Sequence, residues 1–143
     1  MKVDNILKLR GNKIMNKIIH KYLQNKGIDI PSTVKIGKNV KFPHNSYGTV
    51  IHPNTIIEDN VKIYQNVTIG RADIENEINE SKFDKIIIKK GAILGAGCKV
   101  LCKEGILTIE ENTIIGANAV LTKSTNKNQI WAGIQAKKIG ERK

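Results

Sequence analysis

The chain has three histidines, and two of them stand in one short stretch, FPHNSYGTVIHP, at residues 42–53. An imidazole can take a proton from a hydroxyl near neutral pH. It does so best when one ring nitrogen is free and the other is held by a group that fixes the tautomer. A carboxylate is such a group, and Asp29 lies fifteen residues before His44. The pair Asp29 and His44 is therefore the first candidate for acid–base chemistry, with His44 as the base and Asp29 orienting it. His52 is either a bystander or a group that binds the molecule carrying the hydroxyl. His20 sits among lysines in a helical pattern and reads as an ordinary surface or packing histidine. Cys98 and Cys102 are the only cysteines. A C-x-x-x-C spacing without further Cys or a nearby His is not a zinc site, so no metal is expected.

What must position these groups is a repeat. From Gly27 onward, large apolar residues recur every six positions, at Ile30, Ile36 and Phe42. After a three-residue insertion they resume at Ile51, Ile57, Ile63 and Ile69. After a long break they resume at Ile88, Leu94 and Val100, and after another insertion at Ile109, Ile115 and Leu121. Two positions before each stands a smaller or branched residue: Ile28, Val34, Val40, Thr49, Thr55, Val61, Val67, Ile86, Ala92, Cys98, Leu107, Thr113 and Ala119. Within a strand, positions i−2 and i point the same way, here inward. A repeat of six fits one short strand and one corner. Three repeats close a triangular coil of about eighteen residues, and coils stack about 4.8 Å apart.

The expected fold class is therefore all-β, a parallel β-helix of hexapeptide repeats over residues 27–139, with 140–143 as a tail. Residues 1–26 form an N-terminal helical segment. Within it, Ile14, Met15, Ile18, Ile19, Tyr22 and Leu23 make one apolar stripe over residues 12–25, and Gly27 stands where a helix stop belongs. That stripe needs a partner, either the end of the coil or a neighbouring chain.

This frame sorts the candidates. Cys98 occupies an inward i−2 position and needs no role beyond packing. Asp29 is at i−1 and points outward. His44 opens the corner widened by the insertion. Fifteen residues is nearly one coil, so His44 returns close to the corner where the coil of Asp29 began. Residues 71–85 break the period and hold five of the thirteen acidic residues, so they must leave the coil as an extruded loop. That loop is either a solvated excursion or a flap over a neighbouring subunit's site.

Lys and Arg total 24 against 13 acids, a formal net charge of +11. Such a field attracts polyanions or a phosphate-rich ligand. No base-stacking aromatic run accompanies the lysines, which argues against nucleic acid. No stretch is long and apolar enough to span a membrane. The opening residues lack the unbroken apolar core of a signal peptide, so a cytoplasmic protein with reduced thiols is expected.

The segment GIDIPSTVKIGKNVKFPH, with LGAGCKV, IIGANAVLTK and WAGIQAKKI further on, resembles the serine acetyltransferases and related sugar O-acetyltransferases, over about residues 27–139. The resemblance implies a left-handed β-helix, an acetyl-CoA-dependent O-acyltransferase, and a homotrimer with sites between subunits. It implies that Asp29 orients His44, and that His44 takes the proton of a hydroxyl as its oxygen attacks the thioester. It implies CoA contacts at Ala96 and Ala117, with Thr122, Lys123 and Lys137 near the phosphate end. Two departures point away from serine as acceptor. Pro43 stands where the serine enzymes have Asp, and Asp84 and Lys85 stand where they have Arg-His. The expected acceptor is therefore a sugar or surface glycan hydroxyl. The alternatives are a serine O-acetyltransferase, or a non-catalytic β-helix trimer that binds a polyanion.

Overall fold

The computed structural model describes residues 1–143. It is a three-sided parallel coil whose strands are two to six residues long. The first face is built from Lys35–Ile36, Thr55–Ile57, Phe83–Ile88 and Gly105–Ile109. The second holds Lys62–Ile63, Ile93–Leu94, Ile114–Ile115 and Gln129–Ala132. The third holds Val50–Ile51, Thr68–Arg71, Lys99–Cys102 and Val120–Leu121. Isolated bridges extend the last two faces by one coil, through Lys41 to Lys62 and through Asp29 to Val50.

The core follows the six-residue register. All thirteen i−2 residues are buried, and of the thirteen large apolar residues only Ile36 is not. Inward positions of the middle coils meet their equivalents directly above and below. A methylene lost at Ile63 or Leu94 would therefore leave a gap that no neighbour fills. Corners turn by left-handed residues, for which Asn and Gly are the natural choices. Gly97 (φ 72°) and Asn118 (φ 57°) stack one coil apart, and a Cβ on Gly97 would stand 2.2 Å from the Asn118 side-chain oxygen.

The helical segment differs from the expectation. There are two helices, α1 at Val3–Leu7 and α2 at Lys13–Asn25, with Asn12 capping the second through its side chain to the Met15 N–H. Helix α1 escapes the sequence pattern because one turn is too short to show a period. It buries Val3, Ile6 and Leu7 against the open end of the coil, where unpaired strand edges need cover. Of the expected stripe on α2, only Ile19 and Leu23 are buried. Ile14 and Ile18 are 74% and 57% exposed, and Met15 and Tyr22 are also exposed. Gly27 (φ 72°) follows α2 as expected.

Two boundaries also move. The extruded loop is shorter than residues 71–85, because Thr68–Arg71 and Phe83–Ile88 are strands that pair with the coil above. Arg71 ties its root, donating to the Asp73 carboxylate at 3.3 Å and to the Asn76 carbonyl at 2.9 Å. At the far end the parallel coil stops at Ala132. The chain then reverses, and Lys137–Glu141 pairs antiparallel with Gln129–Ala132.

Candidate active site

The site begins with the insertion that widens one corner. Residues His44, Asn45 and Ser46 all adopt left-handed backbone, with φ of 53°, 55° and 47°. Three contacts hold that run. The buried Ser46 hydroxyl donates to the Ile63 carbonyl at 2.5 Å, the Phe42 N–H donates to the Asp4 carboxylate at 3.0 Å, and the Val3 N–H donates to the Asn45 side-chain oxygen at 3.3 Å. Thr49 closes the turn, its hydroxyl donating to the Tyr64 carbonyl and accepting from the Val67 N–H. His44 is thereby left exposed, its ring centroid 6.3 Å from that of Tyr64 in the coil above.

Above it run the corners at Gly95–Ala96–Gly97 and Gly116–Ala117–Asn118, because the strands before them are in register with Lys41 and Lys62. The same edge thus carries His44 at its base and Ala96 and Ala117 above. The corner of Tyr64 and Gln65 lies between them and His44, and the two upper corners are nearly bare backbone. A Cβ on Gly95 would lie 2.8 Å from the Ala117 N, so the coils meet there without side chains. Ala96 gives its carbonyl to the Asn118 N–H at 2.8 Å, and neither the Ala96 nor the Ala117 N–H is donated within the chain. Two free donors on a flat, small-residue edge fit an extended amide-bearing ligand such as the pantetheine arm of CoA.

Lys137 is exposed on the antiparallel strand opposite Ala132. Thr122 and Lys123 lie at a different corner, after Val120–Leu121. They are tied back by Gln135, whose side-chain amide donates to the Thr122 hydroxyl at 2.5 Å, and Lys123 Nζ lies 5.6 Å from the Trp131 ring centroid.

Asp29 is anchored by its backbone. Its N–H donates to the Thr49 carbonyl and its carbonyl accepts from the Ile51 N–H, both at 2.9 Å. The strand bearing the carboxylate therefore runs beside the end of the turn that bears His44, and Gly48 N–H bonds Gly27 O. No hydrogen bond joins the two side chains. Asp29 Oδ1 instead lies 2.6 Å from His20 Nε2. This corrects the reading of His20 as an ordinary surface histidine. The sequence held no signal for the contact, because it depends on where α2 docks.

His52 lies on another corner, edge-to-face against Phe83 with centroids 4.6 Å apart, and its Nδ1 accepts the Asn54 N–H. Burial first, and then the nearby Arg71 charge, push its pKa below the ordinary imidazole value. The largest hollow, about 700 Å³, opens between α1 and residues 32–42 and includes neither His44 nor the alanine strip. We take the edge rather than this hollow as the candidate site, because the hollow is lined by no histidine, and its Asp4 carboxylate is engaged by the Phe42 N–H.

No protein-family profile matches the chain. Curated relatives do. It is 31% identical over 127 residues to the serine acetyltransferase of Haemophilus influenzae, covering 85% of this chain and 44% of that one. It is 34% identical over 116 residues to that of Mycobacterium tuberculosis, covering 80% and 46%. A solved serine acetyltransferase from Brucella abortus in complex with coenzyme A superposes with a TM-score of 0.73 at 28% identity, covering 90% of this chain and 47% of that one. The Neisseria gonorrhoeae enzyme gives 0.77 at 22% identity over 96% and 49%, a likeness of fold alone.

The fold and these matches make the chain a left-handed β-helix of the hexapeptide-repeat acyltransferase class. Within that class the chain is similar to serine acetyltransferases over the part of them that it covers. It spans less than half the length of the relatives it matches. The expected surface-glycan acceptor finds no support among them, since each is a serine enzyme.

Proposed function

We propose that the protein is an acetyl-CoA-dependent O-acetyltransferase, and that L-serine is the acceptor its relatives favour. The observation that carries the reading is the single edge on which an exposed imidazole, His44, lies below the bare amides of Ala96 and Ala117. Acetyl-CoA would lie along that edge and supply the activated acetyl group. Its pantetheine amides would meet the two free N–H groups, and its phosphates would meet Lys137, with Thr122 and Lys123 at the adjoining corner. His44 takes the proton of the acceptor hydroxyl as that oxygen attacks the thioester carbonyl. It returns the proton to the departing thiolate when the C–S bond breaks. Such a base contributes about 10²–10⁴-fold. Asp29 orients the ring through the carboxylate oxygen that His20 leaves free.

A sugar hydroxyl remains a second reading because of Pro43, Asp84 and Lys85, which replace the residues expected beside a serine. Thiol release from acetyl-CoA, measured with L-serine and with a panel of nucleotide sugars, decides between them. Saturable release with serine alone supports the first reading. Release with sugars alone supports the second, and no release with any acceptor leaves a non-catalytic scaffold.

The working form is read as a homotrimer with sites between subunits. Exposed Ile14, Ile18 and Tyr22 on α2, with Tyr47 and Val50 on the coil, support this, since apolar patches of this kind mark contact surfaces. No helix is long and apolar enough to cross a membrane. A cytoplasmic setting suits both acetyl-CoA and the two free, buried cysteines.

A further inference from the structure

We infer that His20 is a positioning residue that holds the Asp29 carboxylate for His44. The inference rests on the reading of Asp29 and His44 above, and it adds a residue that neither the repeat nor the resemblance singles out. The His20 Nε2 to Asp29 Oδ1 distance is 2.6 Å. An ionised carboxylate only accepts, so the contact is a hydrogen bond donated by the Nε2–H tautomer of His20. Both partners are set by rigid surroundings. His20 follows the buried Ile19 and precedes the fully buried Leu23 on α2, which docks the helix turn that bears it. Asp29 is fastened by its own N–H and carbonyl to Thr49 and Ile51.

A carboxylate on such a backbone still turns about its side-chain bonds, and its side chain is 42% exposed. One N–H bond to Oδ1 removes that freedom. The second oxygen, Oδ2, accepts no hydrogen bond within the chain and is left for a second imidazole. The helix supplies this donor from outside the coil, so the β-helix alone does not complete the site. Loss of such an orienting contact displaces the base, and a displacement of about 1 Å can cost about 10²-fold in activity.

The test compares wild type with His20→Ala, His20→Gln and His44→Ala. Glutamine keeps a neutral N–H donor at a reach close to that of Nε2. Positioning predicts that His20→Ala lowers kcat by up to about 10²-fold with KM for acetyl-CoA unchanged, and that His20→Gln restores most of it. If His20 only packs the helix, both variants lose thermal stability while kcat per folded molecule stays at the wild-type value, and the inference is overturned. Full activity in His44→Ala removes the reading of the base, a result distinct from any His20 effect. Should wild type transfer acetyl to no acceptor, ¹⁵N NMR of the ring nitrogens still decides. In His20→Ala the His44 resonances shift if the two rings share Asp29. Unmoved resonances overturn the inference.

Discussion

The Asp4 carboxylate of α1 accepts a hydrogen bond from the Phe42 N–H at 3.0 Å, two residues before His44. A helix of five residues thereby fixes the entry to the only corner built from three consecutive left-handed residues. Asp4→Ala should cost about 1 kcal/mol of stability and lower transfer by loosening that corner. Calorimetry and steady-state rates check both. Unchanged kcat with lowered stability would confine α1 to an end-capping role.

His44→Ala should reduce transfer by about 10²–10⁴-fold while leaving CoA affinity nearly intact, because the base acts mainly in the transition state. Asp29→Asn should cost less. Isothermal titration with CoA beside kinetics separates binding from chemistry.

Gly95→Ala should disturb both stability and CoA binding. The new Cβ would meet the Ala117 N and the Ile115 carbonyl oxygen, each at 2.8 Å. The backbone of residues 115–117 in the adjacent coil cannot yield easily, so a loss of about 1–3 kcal/mol is expected. A melting temperature at the wild-type value would show that the coils separate more easily than the packing implies.

Cys98 and Cys102 should resist alkylation in the native protein. Burial pushes the Cys98 thiol up to about 12 and raises Cys102 as well. The reactive thiolate is therefore scarce at pH 8. Thiol reagent uptake should be negligible until denaturant is added, when two thiols react.

His52 should make the fold sensitive to mild acid. Burial, then Arg71, lowers its folded pKa, so the unfolded chain binds the proton more readily. Stability is unaffected while both states are neutral. It falls as pH drops below about 6.5, the unfolded value. His52→Gln should flatten that slope in denaturant melts at pH 5 and pH 8. An unchanged slope would assign the acid sensitivity to other groups.

The coil was legible from the amino-acid sequence because its rule is local. Positions i−2 and i of each strand share a face, and a strand of two or three residues followed by a corner leaves a period that survives insertions. Ile28 and Ile30, or Cys98 and Val100, announce their burial without any knowledge of what lies above them. The outward positions of Asp29 and His44 follow from the same register, whereas only the resemblance singled out Ala96 and Ala117, and the strand pairing put them on the edge of His44. The tertiary structure alone decided what touches the outside of the coil. The contact of His20 with Asp29 depends on the docking of α2 through Ile19 and Leu23. The hold on the His44 corner depends on α1, too short to be periodic. The start of a strand at Phe83 depends on pairing with Gly105, and the reversal after Ala132 on antiparallel pairing with Lys137. Each joins residues that no repeat relates, so only the folded chain brings them together.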